Sequence, residues 1–189
     1  MNNIWIELGR GAHSVYIHSD FSALAHIKYR VAPFFSCKIC ECPKKENWII
    51  VICNHNEDIN MMCLIEPFID NNLEPPRKYY FNANKKVIYI DKPDDYYMKI
   101  QIAIRLSRDI MKHLCLSKYN VHLHGGMVTY KGKGICFLGP KKAGKTSLLL
   151  SLLSEKETTF VSNDDMSISI DPDDNIEGYG WPRAVSIRK

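Results

Sequence analysis

The chain has 189 residues, 46% of them hydrophobic and 24% charged, which is typical of a folded globular protein and excludes disorder over most of its length. The formal net charge is only +4, from 25 basic and 21 acidic residues without any basic tract, so nucleic acid is not an expected partner. Because the N-terminus lacks the features of a signal peptide and no apolar run approaches the roughly 20 residues of a membrane span, we expect a cytoplasmic protein without a membrane partner.

The first part of the chain predicts short strands and one capped helix. Residues 4–8 and 15–18 are typical of strands on either side of a turn at 9–11. Asp20 stands where it can cap a helix over residues 22–29. Further strand-like runs follow at residues 48–53, 61–65, 79–81 and 86–90, with a hairpin turn predicted at 82–85.

A longer amphipathic helix is predicted after residues 91–93. Asp94 and Asp95 would occupy its first turn, where carboxylates oppose the positive end of the helix dipole. Ile104 and Met111 widen an apolar row that recurs every four residues, namely Met98, Ile102, Leu106, Ile110 and Leu114. We interpret this helix as a core element without chemistry.

The seven cysteines are expected to be reduced thiols. Zinc is held by thiolates at spacings such as C-x-x-C, and a C-x-x-C-x-C run occurs here. The second ligand pair lacks a tight spacing, so we predict no structural metal; the residues concerned are Cys37, Cys40, Cys42, Cys53, His55 and Cys63. Cys136, in a later apolar run, is expected to be a small core residue.

The pattern changes near Asn120, where we place a soft boundary. Residues 1–119 are predicted to form an α+β region available for binding a substrate or partner. Residues 120–189 predict strands at 124–130, 134–138, 159–162 and 166–170, with a helix at 145–154.

A phosphate-binding motif follows the second of these strands. Gly139-Pro140-Lys141-Lys142-Ala143-Gly144-Lys145-Thr146, followed by Ser147, matches G-x-x-x-x-G-K-[ST]. Glycines let backbone N–H groups converge on a triphosphate, and the helix start adds its dipole. Lys145 would reach the β- and γ-phosphates, and the Thr146 hydroxyl is the expected Mg²⁺ ligand. Strand, loop and helix in this order predict a P-loop.

Two adjacent carboxylates provide the second site that a P-loop enzyme needs. Asp164 and Asp165 follow a predicted strand, where one can support the metal and the other accept a proton from an attacking hydroxyl. The residues alone do not decide which of the two is the base. The Asn-Lys-x-Asp motif of GTPases and the Leu-Ser-Gly-Gly motif of transporter ATPases are both absent from the sequence.

Residues 124–134, with the sequence His-Gly-Gly-Met-Val-Thr-Tyr-Lys-Gly-Lys-Gly, run into the P-loop and on to Asn163-Asp164-Asp165. This succession resembles the catalytic domain of HPr serine kinase/phosphorylase over roughly residues 120–188. The resemblance implies an α/β fold with a nucleotide-binding core of the HPr-kinase/PEP-carboxykinase-like type, a mixed sheet with flanking helices. Residues 80–119 resemble the lead-in of shorter HPr-kinase-like proteins, some of which phosphorylate a precursor peptide.

The resemblance also implies residue roles. Lys145 would contact phosphate, and Thr146 and Asp164 would serve Mg²⁺. Asp165 would take the proton of the substrate hydroxyl, and His124 would stand next to the phosphates. The implied cofactors are ATP and Mg²⁺.

Other candidates and departures concern the flanks of the motifs. His122 should share one strand face with His124, which makes it a weaker candidate. The family continues beyond the acidic pair with a further acidic ligand and an arginine, for which Glu177 and either Arg183 or Arg188 could substitute. Residues 178–183 are predicted to form a loop before a strand at 184–187. An end on a strand indicates either a C-terminally truncated chain or an edge covered by a partner.

Three hypotheses follow from the sequence. The first is an ATP- and Mg²⁺-dependent kinase that phosphorylates a hydroxyl, with a Ser of a peptide or protein as the expected acceptor. The second is a nucleotide-binding regulatory or assembly module without catalysis, and the third is a small-molecule kinase on the same scaffold. Formation of a homo-oligomer stays open.

Overall fold

The structure, a computed structural model, describes residues 4–44, 46–53, 63–65, 79–91, 96–115 and 121–183. The chain divides into two compact units, Met1–His113 and Leu114–Lys189. Both combine helices with sheets, so the protein is mixed α/β with α+β character. Within the described residues, none of the helices is long and apolar enough to cross a membrane.

The N-terminal unit is built on one seven-stranded sheet. Its strand order is β3-β1-β2-β4-β7-β6-β5, with parallel pairs at β2–β4 and β4–β7 and antiparallel pairs elsewhere. The elements are β1 (Trp5–Arg10), β2 (His13–His18), α1 (Phe21–Val31), β3 (Ser36–Cys40), β4 (Trp48–Cys53), β5 (Cys63–Ile65), β6 (Tyr79–Asn82), β7 (Val87–Asp91) and α2 (Tyr96–Leu114).

Local patterns predicted most of these strands, but they did not predict β3. The strand at 48–53 and the hairpin between β6 and β7 are confirmed, with Asn82 paired to Val87 across the turn. The buried face of α1 has helical spacing and comprises Ala23, Leu24, Ile27 and Val31. Together with inward residues of β1 and β2, it forms an apolar core that covers one part of the sheet.

The predicted face of α2 is confirmed for Ile102, Ile104 and Met111 and is wrong for the rest of the row. Of the row spaced by four, only Ile102 is buried, while Met98, Leu106, Ile110 and Leu114 are partly exposed. With 3.6 residues per turn, each step of four advances about 40° around the helix, so such a row winds off any single face. The face that is buried comprises Lys99, Ile100, Ile102, Ala103, Ile104, Ser107 and Met111.

Asp20 joins the two helices of the N-terminal unit. Its carboxylate accepts a hydrogen bond of 2.8 Å from the Ala23 N–H and so caps α1, as the sequence predicts. Its other oxygen lies 3.1 Å from the ammonium of Lys99, a residue only 8% exposed. Partial burial by itself raises the pKa of Asp20. The Ala23 N–H and the Lys99 ammonium outweigh this effect, so the pKa lies below its ordinary value.

We expect Asp20→Ala to lower the free energy of unfolding by about 0.5–2 kcal/mol, the range for loss of an N-cap. Asp20→Asn, the matched control, keeps the cap and loses only the charge opposite Lys99, so its loss should be smaller. The pKa of Asp20 is lower in the folded than in the unfolded state. The stabilisation that comes from its negative charge is therefore fully present above the unfolded pKa of about 4 and is lost as the pH falls through the folded pKa. Urea denaturation followed by circular dichroism measures this, and equal losses in both variants would contradict the cap.

The described residues of the C-terminal unit form two three-stranded sheets and one helix. The sheets have the strand orders β10-β9-β11 and β13-β12-β8, and every pair is antiparallel. The elements are β8 (Val121–Leu123), β9 (Gly125–Tyr130), β10 (Lys133–Leu138), α3 (Lys145–Leu153), β11 (Thr158–Ser162), β12 (Met166–Ile170) and β13 (Ile176–Gly180). Among the described strands, parallel pairs therefore occur only in the N-terminal unit, whose sheet is the mixed one.

Three expectations for this unit are wrong. Residues 178–180 belong to the strand β13 and are not a loop, because they pair with β12. Cys136 is exposed, since it lies on the edge strand β10, whereas Met127 opposite it is buried against Gly178. His122 lies on β8 and His124 follows that strand, so the two do not share a strand face.

Several predicted features lie outside the described residues. They are Asp94 and Asp95, His55, Arg188, and the strand at 184–187.

Candidate functional site

The loop of residues 139–144 connects the end of β10 to the start of α3. Strand, loop and helix occur in the predicted order, with the strand ending at Leu138 and the helix beginning at Lys145. Within the loop the Ala143 N–H donates to the Pro140 carbonyl at 3.2 Å. Gly139 and Gly144 have φ angles of 154° and 84°, which a glycine adopts without strain. Lys142 also has a positive φ, of 71°.

The start of α3 supplies backbone donors beside this loop. The first helical hydrogen bond runs from the Leu148 N–H to the Gly144 carbonyl at 2.9 Å. The preceding N–H groups, of Lys145, Thr146 and Ser147, have no partner within a regular helix, and Gly144 at the cap brings no side chain to satisfy them. Such a helix start attracts anions through its dipole and its N–H groups.

Lys145 folds back over the loop. Its ammonium donates to the carbonyls of Gly139 and Pro140 at 2.8 and 3.0 Å. The side chain therefore spans the turn and holds a positive charge at the loop, while the neighbouring Lys141 and Lys142 are exposed. The two carbonyls are weak competitors for an ammonium compared with a charged phosphate oxygen.

Two glycines on β9 position the loop and the helix. A Cβ on Gly126 would lie 2.9 Å from Leu149 Cδ1, so glycine lets α3 approach the strand closely. A Cβ on Gly125 would lie 2.5 Å from the Phe137 carbonyl oxygen on β10. Because the contact at Gly125 is with the main chain, glycine there sets how close the end of β10 lies to β9.

Antiparallel pairing brings three chain segments to one edge of the β10-β9-β11 sheet. β9 begins at Gly125, which pairs with Leu138 at the end of β10, and Met127 pairs with Ser162 at the end of β11. His124, the loop and the acidic pair therefore converge on the same edge. The order of the motifs along the chain predicts that the acidic pair ends a strand adjacent to the strand before the loop. This prediction is wrong, because β9 lies between β10 and β11.

At this edge Asp164 lies close to two basic side chains. One carboxylate oxygen lies 3.9 Å from His124 Nε2 and the other lies 3.8 Å from Arg183 Nε. The backbone of Asp164 has a φ of 68°, an uncommon conformation for a residue other than glycine. Arg183, named in the sequence only as a substitute for the family's arginine, is thus brought to the acidic pair.

Asp165 is tied down through its main chain. Its carbonyl accepts hydrogen bonds from the Ser162 hydroxyl and from the Trp181 N–H, the latter at 3.3 Å. Trp181 is fully buried, and its indole N–H donates to the Ser167 hydroxyl at 2.6 Å. This network anchors the turn between β11 and β12 on which both aspartates stand.

Two further candidates lie elsewhere. Glu177 pairs with Ser169 on β12, three residues from the pair that joins Met166 to Gly180, or about 10 Å along the strand. It accepts a hydrogen bond from the Tyr179 hydroxyl. His122 Nδ1 lies 2.6 Å from the Ser167 hydroxyl, on the other sheet. Neither residue joins the cluster of His124, Asp164 and Arg183.

Asn163 is the residue of the site to which the sequence assigned no role. It directly precedes the aspartates, is 2% exposed, and its Oδ1 lies 3.5 Å from the Thr146 hydroxyl oxygen on α3. The only sequence signal was its place in the Asn-Asp-Asp run. A contact between a helix start and a strand end cannot be derived from spacing.

The fit of these residues to a divalent cation is partial. The Thr146 hydroxyl and the carboxylate of Asp164 are oxygen ligands of the kind that Mg²⁺ takes, together with phosphate oxygens. Among the described residues, no group of three or more His, Cys, Asp or Glu side chains could hold a metal by itself. A cation here would therefore need phosphate oxygens as ligands in addition to those of the protein.

The cysteines of the C-x-x-C-x-C run do not converge. Cys37 and Cys40 lie on β3 at positions of opposite parity, which point to opposite faces of a strand, and Cys42 is exposed after it. Burial raises the pKa of the Cys37 and Cys40 thiols, which favours the protonated form over the thiolate that zinc needs.

We expect elemental analysis of purified protein to find no zinc. One zinc per chain that disappears in the double variant Cys37→Ser, Cys40→Ser would contradict this.

No model of a known protein family matches this chain, and no curated protein matches it either. The resemblance to the HPr kinase catalytic domain therefore depends on the quoted motifs alone.

Proposed function

We propose that this chain binds ATP with Mg²⁺ at residues 139–147 and transfers the γ-phosphoryl group to a hydroxyl, with a Ser of a peptide or protein as acceptor. One observation carries the proposal. The P-loop segment, with Lys145 folded over it, and the cluster of Asp164, His124 and Arg183 lie at the same edge of one sheet. Phosphoryl transfer needs groups that bind phosphate close to carboxylates that hold the metal or accept the proton.

The proposed mechanism assigns each group one task. The first N–H groups of α3 and the ammonium of Lys145 bind the β- and γ-phosphates, the lysine exchanging its two carbonyl acceptors for charged oxygens. When bound, Mg²⁺ supplies positive charge that neutralises the phosphates. The acceptor hydroxyl loses its proton to a carboxylate, Asp165 in this proposal, as its oxygen bonds to the γ-phosphorus and ADP leaves.

His124 and Arg183 complete the proposed site through Asp164. Each lies just under 4 Å from one of its carboxylate oxygens, a distance typical of a loose ion pair that can rearrange. With Asp164 lying beside His124 and Arg183, Asp165 is the carboxylate we assign to the proton. The α+β region of residues 1–119 is available for binding the acceptor or a partner.

A second candidate is a nucleotide-binding regulatory or assembly module. The same contacts of Asp164 favour it, because a carboxylate held by His124 and Arg183 can be purely structural. This alternative predicts ATP binding without transfer of phosphate.

The test is incubation of the protein with Mg²⁺ and ATP labelled at the γ-phosphate, with serine-containing peptides and, separately, small hydroxyl compounds. We expect label on a peptide serine. Label only on a small molecule would replace the acceptor class, and ATP binding without any product would leave the binding module.

A further inference from the structure

A buried amide contacts the hydroxyl on which the proposed cation site depends. Asn163 is 2% exposed at the end of β11, and the Thr146 hydroxyl, in the first turn of α3, donates to its Oδ1 at 3.5 Å. Its Nδ2 is fully buried and has no hydrogen-bond partner among the described residues. A buried amide nitrogen without a partner is costly, so this side chain faces a place where a further acceptor is expected.

The direction of this hydrogen bond matters for what Thr146 can bind. A threonine hydroxyl has one proton and two lone pairs. If the proton points to Asn163, both lone pairs are available to a cation. The amide turned by 180° would instead donate to the hydroxyl and occupy one of them.

We propose that Asn163 is a positioning residue that orients the Thr146 hydroxyl toward the divalent cation of a metal–nucleotide complex. This inference rests on the proposed binding of ATP at the loop. Asn163 touches neither the cation nor the phosphates in this role; it acts through Thr146. Residues that orient a metal ligand in this way typically change metal affinity by about 10–100-fold when they are replaced.

The neutral charge of Asn163 has a second consequence. A carboxylate at the same position would accept the same proton and would also attract a cation in the absence of nucleotide. With an amide there, the cation depends on the charge of the phosphates. The protein is thus built to take up the metal together with the nucleotide.

The experiment compares the dissociation constant of ATP in EDTA with that in excess Mg²⁺, for the full chain. The ratio of the two, the magnesium factor, measures how strongly the cation supports nucleotide binding. Thr146→Val should lower this factor about tenfold, Asn163→Ala should do the same, and the double variant should add nothing further, because both act through one hydroxyl. Thr159→Val, an exposed threonine at the start of β11, is the matched control and should keep the factor of the original chain.

Asn163→Asp keeps the size of the side chain and secures the test if Asn163→Ala does not fold. We expect it to retain the magnesium factor and to bind Mn²⁺ without nucleotide, which electron paramagnetic resonance detects as loss of free Mn²⁺. An Asn163→Ala variant that weakens ATP equally with and without Mg²⁺, or additive losses in the double variant, would overturn the inference while leaving the proposed function intact. Failure of the original chain to bind ATP in either condition would overturn both.

Discussion

Asp165→Asn is expected to slow phosphoryl transfer by about 10²–10⁴-fold, the usual contribution of a general base. Asparagine keeps the size of the side chain and cannot take the proton of the acceptor hydroxyl. The change leaves in place the main-chain bonds from Ser162 and Trp181 to the Asp165 carbonyl, so these anchors of the turn should persist. ATP affinity, which depends on the loop and α3, should change little.

Asp164→Asn distinguishes the role of Asp164 from that of Asp165. This change removes the charge that faces His124 and Arg183, so it should disturb the arrangement of the site and its cation without removing the proposed base. We expect raised Mg²⁺ to recover part of the activity of Asp164→Asn and none of that of Asp165→Asn. The reverse pattern would make Asp164 the base.

Turnover at saturating ATP over a titration of Mg²⁺ measures both variants. Asp173→Asn is the matched control, because Asp173 is an exposed carboxylate in the turn between β12 and β13. Full activity of both Asp164→Asn and Asp165→Asn would rule out catalysis by the acidic pair.

Lys145→Ala is expected to weaken ATP binding by about 10–100-fold, from the loss of charged hydrogen bonds worth about 1.5–3 kcal/mol. The ammonium now bonded to the Gly139 and Pro140 carbonyls is the cation closest in sequence to the helix start. Without this ammonium, only backbone N–H groups remain to bind the triphosphate. Titration with a fluorescent ATP analogue gives the affinity.

Two variants control for this result. Lys156→Ala removes the same net charge at a distant exposed position and should bind ATP normally. Lys145→Arg keeps the charge but replaces a compact ammonium with a planar fork, so it should recover only part of the affinity. Unchanged affinity in Lys145→Ala would be incompatible with phosphate binding at this loop.

Sequence patterns alone were sufficient where the determining interactions are local. The cap at Asp20, the β6–β7 hairpin and the passage from β10 through the loop into α3 depend on residues within a few positions of one another. Turn chemistry, capping and the short apolar runs fix such features before any long-range contact forms. The candidate phosphate loop was therefore predictable from the sequence.

The tertiary structure decided which strands pair and what their ends bring together. Strand order depends on contacts between residues far apart in the chain, which periodicity does not encode. That is why the sequence did not predict that β9 lies between β10 and β11, or that His122 and His124 lie on different segments. For the same reason only folding could place Asn163 against Thr146 and Arg183 beside Asp164, because each contact joins segments that meet only through sheet pairing.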